Sequence, residues 1–214
     1  MNLIESNAQK ITNLAQKTLI KCGKSRIIIA IVGAPGSGKS SVAERVIERL
    51  NTALPHQSAL LPMDGFHYDD CVLETLGRRE YKGAPDTFDV SGLQHMLQRL
   101  KNNNDEVIAV PLFDRELEIS RAGARLISQQ TRIILCEGNY LLLNTEPWNR
   151  LRRLFDVTIV LNVSRSELEK RLTFRWKSAG LSDEAIRFKV EKNDLPNGVM
   201  LLKESMPADI YLDN

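Results

Sequence analysis

Residues 26–41, RIIIAIVGAPGSGKSS, constrain this chain more than any other stretch. A β-branched apolar run ends at Gly33 and passes straight into G-A-P-G-S-G-K-S. That segment meets the phosphate-binding pattern GxxxxGK[ST] in the strand-to-helix setting the pattern requires. Gly33, Gly36 and Gly38 allow positive φ and close approach to a ligand, so that successive N–H groups converge on phosphate oxygens. The following helix, expected over 39–50 with Val42, Val46, Ile47 and Leu50 on one side, points the positive end of its dipole at the same anion. Lys39 adds a mobile charge for the terminal phosphates, and Ser40 a hydroxyl of the kind that ligates Mg²⁺. The expected nucleotide-binding residues are therefore Gly33, Ala34, Pro35, Gly36, Ser37, Gly38, Lys39, Ser40 and Ser41.

With 214 residues, 43% of them hydrophobic, the chain can bury a full core in one domain with an inserted lid. The net charge of +2 is too small to imply a nucleic-acid partner, and no aromatics interleave with the dispersed Lys and Arg. Three widely spaced cysteines, Cys22, Cys71 and Cys136, read as reduced thiols of a cytoplasmic protein, with no zinc pattern. No apolar stretch approaches membrane-spanning length and no secretory signal is visible, so no membrane role is expected. Residues 1–24 carry Leu3, Ile4, Ala8, Ile11, Leu14, Ala15 and Leu19 at helical spacing. A transit peptide is one reading of this segment. Because Lys rather than Arg carries its charge, a helix docked on the core or on a partner subunit is favoured.

Beyond the loop, short apolar runs alternate with helical patterns, which argues for a parallel sheet with crossover helices. Strands are expected over 27–32, 58–63, 107–110, 132–136, 157–163 and 209–212, and further helices over 90–101, 166–179 and 183–192, with Ser182 capping the last. Ligands of such sheets bind beyond the carboxyl ends of the strands. There the second run delivers Asp64 (MDGFH), the third Asp114 and Arg115 (PLFDRE), and the fourth Glu137 (CEGNY), where a phosphate-loop protein usually carries an acid.

Each of these has a plainer alternative. Asp64-Gly65 is a common turn pair, His67 could be a solvated loop residue, and Arg115 could pair at the surface with Glu116 or Glu118. Glu137 is harder to dismiss, since an unpaired buried carboxylate is costly. Arg171 and Arg175, four residues apart on one helix face, are either a solvated basic face or a clamp on a transferring phosphoryl group, with Gly180 as a hinge.

Together GAPGSGKSS, MDGFH, KGAPDTFD, PLFDR, CEGNYLLL and RLTFRW resemble the phosphoribulokinase, uridine kinase and bacterial pantothenate kinase group of P-loop kinases, and most closely its YggC-like, fructose-transport-associated subgroup. The resemblance spans the chain from about residue 27 to its last strand. It implies a P-loop NTPase fold, a three-layer α/β/α architecture with a five-stranded parallel core sheet and a helical lid at about 165–182 in a 25–214 kinase domain. It further implies transfer of the γ-phosphoryl of ATP, with Mg²⁺, to a hydroxyl of a small metabolite, by a homodimer. Asp64 matches the general base, Glu137 with Ser40 the metal-organising groups, and Lys39, Arg171 and Arg175 the cations at the transferring group. His67, Tyr81, Lys82, Phe113, Arg115 and Tyr140 are the expected acceptor-binding residues. Gly83 stands where nucleoside kinases of the group carry an acid for the ribose hydroxyls, which disfavours uridine, whereas YKGAP and NDLPN look more like pantothenate kinase. A nucleotide-dependent switch without a small-molecule acceptor is the alternative from another class.

Overall fold

A computed structural model describes residues 3–53 and 55–214. Strand β1 (Ile27–Val32) is buried along its whole length, as befits a central parallel strand covered on both faces. Its alternation divides the interior in two. Ile27, Ile29 and Ile31 join one cluster, and Ile28, Ala30 and Val32 the other. Around it stand β2 (Ser58–Pro62), β5 (Ile133–Gly138), β6 (Val157–Asn162) and β7 (Ile210–Asp213), in the order β2-β5-β1-β6-β7 with every neighbouring pair parallel. This is the expected five-stranded parallel core.

On one face lie α1 (Leu3–Cys22) and α2 (Lys39–Ala53). Ala8, Ile11, Ala15 and Leu19 recur at the three-to-four-residue period of a helix and meet Val42, Ala43, Val46 and Leu50 of α2 in the same cluster. Glu5 adds ion pairs to Arg45 and Arg49 at 2.6 and 2.7 Å. The first helix is thus docked on the core. The other face is covered by α4 (Val90–Asn102), capped by Asp89, whose carboxylate accepts from Gly92 N, together with a 3₁₀ segment Trp148–Leu154 and Leu201 of α7 (Leu195–Glu204).

Three expectations are corrected here. Residues 107–110 do not enter the core sheet. They begin β3 (Val107–Asp114), which pairs antiparallel with β4 (Ile119–Ser128), a strand the sequence did not announce, in a hairpin of its own. Residues 183–192 are not one α-helix: α6 (Asp183–Phe188), capped by Ser182 as expected, gives way to a π turn at Lys189–Asp194 that runs into α7. Met63 leaves β2 for a 3₁₀ turn, Met63–Phe66, which carries Asp64 and precedes the short helix α3 (Asp70–Thr75). With α5 (Arg165–Ser178), α6 and the π turn build a small third cluster of Ala34, Leu168, Leu172, Ile186, Val190 and Leu195.

Candidate active site

The loop between β1 and α2 winds as its glycines permit. Gly36 and Gly38 have φ of +79° and +81°, a region costly for residues with a Cβ. At Gly33 any Cβ would collide with the Ser37 side chain. The first turn of α2 holds Lys39, Ser40 and Ser41 and no acidic residue, so its N–H groups face an anion site without competition from a local carboxylate. Pro35, Gly36, Gly38, Lys39, Ser40 and Ser41 form one wall of a cleft of about 380 Å³. Gly33, Ala34 and Ser37 lie buried beneath that wall.

β5 brings Glu137, 4% exposed, against Ser40 of the cleft wall, whose Oγ donates to its Oε2 at 3.1 Å. Burial pushes the Glu137 carboxyl up, and the Asp64 charge adds to this, while Lys39 and Ser40 pull the other way. Two hard oxygen donors beside a phosphate cradle are a set that suits Mg²⁺. Asp64 stands across the cleft, with Arg115 donating to Oδ2 at 3.0 Å. Burial opposes its ionisation, but the charges of His67, Lys39, Arg115 and Arg175 outweigh it and hold the carboxyl below its usual range. The His67 ring is tilted against Phe88 and Phe113, centroids 4.0 and 4.8 Å away, and burial lowers its own pKa. Nδ1 of His67 donates to Asp64 O at 2.8 Å, and the His67 backbone N–H donates to the same carbonyl at 3.2 Å, which fixes the turn.

Gly65 is required for a steric reason. The backbone of β3 crosses it so closely that a Cβ would lie 2.5 Å from Pro111 O and 2.8 Å from Pro111 C. Backbone cannot swing aside as a side chain can, so Gly65→Ala should destabilise the fold by about 1–3 kcal/mol in denaturant titration and lower turnover by moving Asp64.

The hairpin tip and the helical segment after β6 close the cleft. Glu118, with φ of +56°, and Arg115 approach from the β3–β4 turn, where Asp114 Oδ1 accepts from Glu116 N and Leu117 N. From α5 come Arg175 and Trp176, whose Nε1 donates to Asp194 Oδ2 at 2.7 Å; Lys189 and Asn193 of the π turn complete that side.

Of the residues expected to bind an acceptor, His67, Lys82, Phe113 and Arg115 line the cleft. Two are placed elsewhere. Tyr140 is fully buried against Phe88 and Trp148, its hydroxyl donating to Gly83 O at 2.7 Å, so it supports the wall from behind. Tyr81 turns its ring to the Arg78 guanidinium, 4.6 Å away. The arginine pair is also split: Arg175 lines the cleft, whereas Arg171 donates to Glu167 Oε1 at 3.0 Å and Asn214 O at 3.4 Å beside Gly38. Arg79, Glu118, Trp176, Lys189 and Asp194 line the cleft without having been singled out. The NDLPN motif contained Asp194, and Arg79 stood three residues before Lys82, but neither pattern said which way the side chain would face.

Comparison with known proteins settles the family. The model of the phosphoribulokinase/uridine kinase family matches residues 28–201. The chain belongs to that family. It is 32% identical, over 88% of its length and 83% of the relative's, to a Schizosaccharomyces pombe protein provisionally named a uridine kinase. It is 30% identical to the uncharacterised protein YggC of Escherichia coli, over 88% of this chain and 78% of that one. A crystal structure from Silicibacter sp. TM1040, provisionally described as a fructose transport system kinase, shares 40% identity and superposes with a TM-score of 0.80 over 87% of this chain and 89% of its own. The fold is that of the P-loop kinases, and the chain is an ATP-dependent phosphotransferase with an alcohol group as acceptor. Among the described residues, no helix is long and apolar enough to cross a membrane.

Proposed function

We propose that this kinase transfers the γ-phosphoryl group of Mg·ATP to a hydroxyl of a small metabolite that carries a negative charge, with Asp64 as general base. One observation carries the reading: the Asp64 carboxylate lines the same cleft as Lys39 and the phosphate loop, with Arg115 donating to it. The acceptor hydroxyl lies against Asp64, which takes its proton as the new O–P bond forms and the bond to ADP breaks. Arg115 orients the carboxylate through the 3.0 Å bond, and Lys39 and Arg175 offset the charge on the transferring group. Ser40 and Glu137 would hold Mg²⁺, which when bound neutralises phosphate charge. Arg175→Met should lower kcat about 100-fold with little change in the KM for ATP, as loss of one preorganised donor does.

The acceptor's charge follows from the ion pairs of the wall. Arg79 Nε and Lys82 Nζ, both on the cleft lining, share the carboxylate of Asp70 at 2.6 Å each, which leaves that pair one positive charge in excess. A carboxylate or phosphate on the acceptor would answer it. Gly83, with φ of +100°, offers no carboxylate to a ribose diol, which speaks against a nucleoside. The test is ADP release from Mg·ATP against hydroxy acids, sugar phosphates, neutral sugars, pantothenate and uridine, with a no-acceptor control. A large rise with one anionic acceptor is expected. Preference for a neutral one would remove the charge argument, and a full rate without acceptor would replace the kinase with an NTPase.

A further inference from the structure

Asp194 is an acid of the cleft lining that the transfer step leaves unused. It is 9% exposed, and burial pushes its carboxyl up, while the Trp176 bond and the charges of Arg175, Lys189 and Lys39 work the other way. Trp176 Nε1 donates to Oδ2 at 2.7 Å, but among the described residues nothing donates to Oδ1. The π turn is what brings this acid to the cleft. In an α-helix, residue 194 would lie about 140° around the axis from residue 189. The wider turn Lys189–Asp194, with Leu195 N donating to Val190 O, sets the two nearer one face, and together with Asn193 both line the cleft. Asn193 is already engaged: its Nδ2 donates to Lys82 O at 3.3 Å and its Oδ1 accepts from Asn197 Nδ2 at 2.9 Å.

A second open acceptor belongs to the same lining. Asn139, 8% exposed, has a buried Oδ1 with no partner. Asn139 and the Asp194 charge both act on the Tyr140 hydroxyl, whose proton is committed to Gly83 O at 2.7 Å and so answers neither. Buried acceptors left without donors are destabilising, and a ligand that carries donors relieves them. We propose that Asp194, together with Asn139, binds further hydroxyls of the acceptor, so that the substrate is a polyhydroxylated anion, a sugar phosphate or sugar acid, rather than a simple hydroxy acid. This rests on the kinase reading above for the anionic group, which answers Arg79 and Lys82 and keeps a neutral nucleoside out of the class. One hydroxyl lies against Asp64 and is phosphorylated, and another donates to Asp194 Oδ1. Trp176 is a positioning residue: its bond fixes Oδ2 and leaves Oδ1 for the ligand, while the Arg175 guanidinium at 5.0 Å and Lys189 Nζ at 4.7 Å meet its ring.

Matched compounds that differ by one hydroxyl isolate this contact: ribose phosphate with deoxyribose phosphate, glucose phosphate with deoxyglucose phosphate, and glycerate with lactate. Calorimetric titration of the full chain with Mg·ADP present should show at least one hydroxylated member bound about tenfold or more tighter than its deoxy partner, as a hydrogen bond to a charged group allows. In Asp194→Asn that preference should vanish, with the deoxy compound bound as before. The amide oxygen can keep the Trp176 bond, whereas the NH₂ group left to the cleft accepts nothing. Asp194→Ala, which gives up the Trp176 bond as well, should lose the same preference. Its survival in either variant would reduce Asp194 to a pin for Trp176 and overturn the proposal, and so would an unaltered chain that favours no hydroxylated member. ADP release as fast with lactate as with every polyhydroxylated compound would leave the kinase standing and refute only the role of Asp194. A preference abolished by Asp194→Asn in a chain that phosphorylates none of the compounds would sustain that role and refute only the transfer chemistry.

Discussion

Asp64→Asn should reduce kcat by about 10²–10⁴, the range a general base contributes, while Mg·ADP binding stays near the wild-type level. The substitution is nearly isosteric, and the remaining amide oxygen can still accept from Arg115, so the 3₁₀ turn and its bonds to His67 should survive. What is lost is a proton acceptor with a negative charge. That charge is costly here, since burial works against it, and the surrounding cations uphold it. A purely structural carboxylate would show itself differently, by a lowered melting temperature and an unchanged kcat in the surviving folded fraction. Steady-state kinetics alongside ADP titration distinguishes the two, and wild-type turnover would remove Asp64 from the base role.

Much of this arrangement was legible because it is local. The phosphate loop is a run of neighbouring residues whose glycines permit its winding, and the inner strands β5, β1 and β6 are largely apolar runs because both sheet faces are covered. Asp64 and Glu137 followed from their place just after such runs. The hairpin was hidden for the opposite reason: β4, ISRAGARLIS, is largely solvent-facing and pairs only with β3, so no apolar run marks it. Arg171 and Arg175 share a helix face, yet four residues advance about 6 Å along the axis, enough to put one beside Gly38 and the other in the Asp64 cleft. Tyr140 followed Glu137 and Asn139 in sequence but turns into the core, where Phe88 and Trp148 receive it. Asn214 had no local signal at all, since its side chain bonds residues 177 and 207 positions away.

Lys39→Met should have the other large effect, a fall of about 10³ or more in kcat/KM for ATP, because it removes a full charge from the point where negative charge gathers in the transition state. Lys39 acts on more than the nucleotide. Its charge also favours ionisation of Asp64, Glu137 and Asp194, so without it the pKa of each rises and the acid limb of the residual pH–rate profile should move to higher pH. Arginine should not restore activity, since its guanidinium is broader than an ammonium and its rigid fork does not fit a cradle shaped by Gly36 and Gly38. The two substitutions also differ in what they spare. Asp64→Asn should leave any slow acceptor-independent hydrolysis of ATP intact, because water needs no base positioned for an acceptor, whereas Lys39→Met should abolish hydrolysis and transfer together. Both variants losing hydrolysis equally would mean that Asp64 serves the nucleotide rather than the acceptor, and normal catalysis in Lys39→Met would sink the phosphate-loop assignment itself.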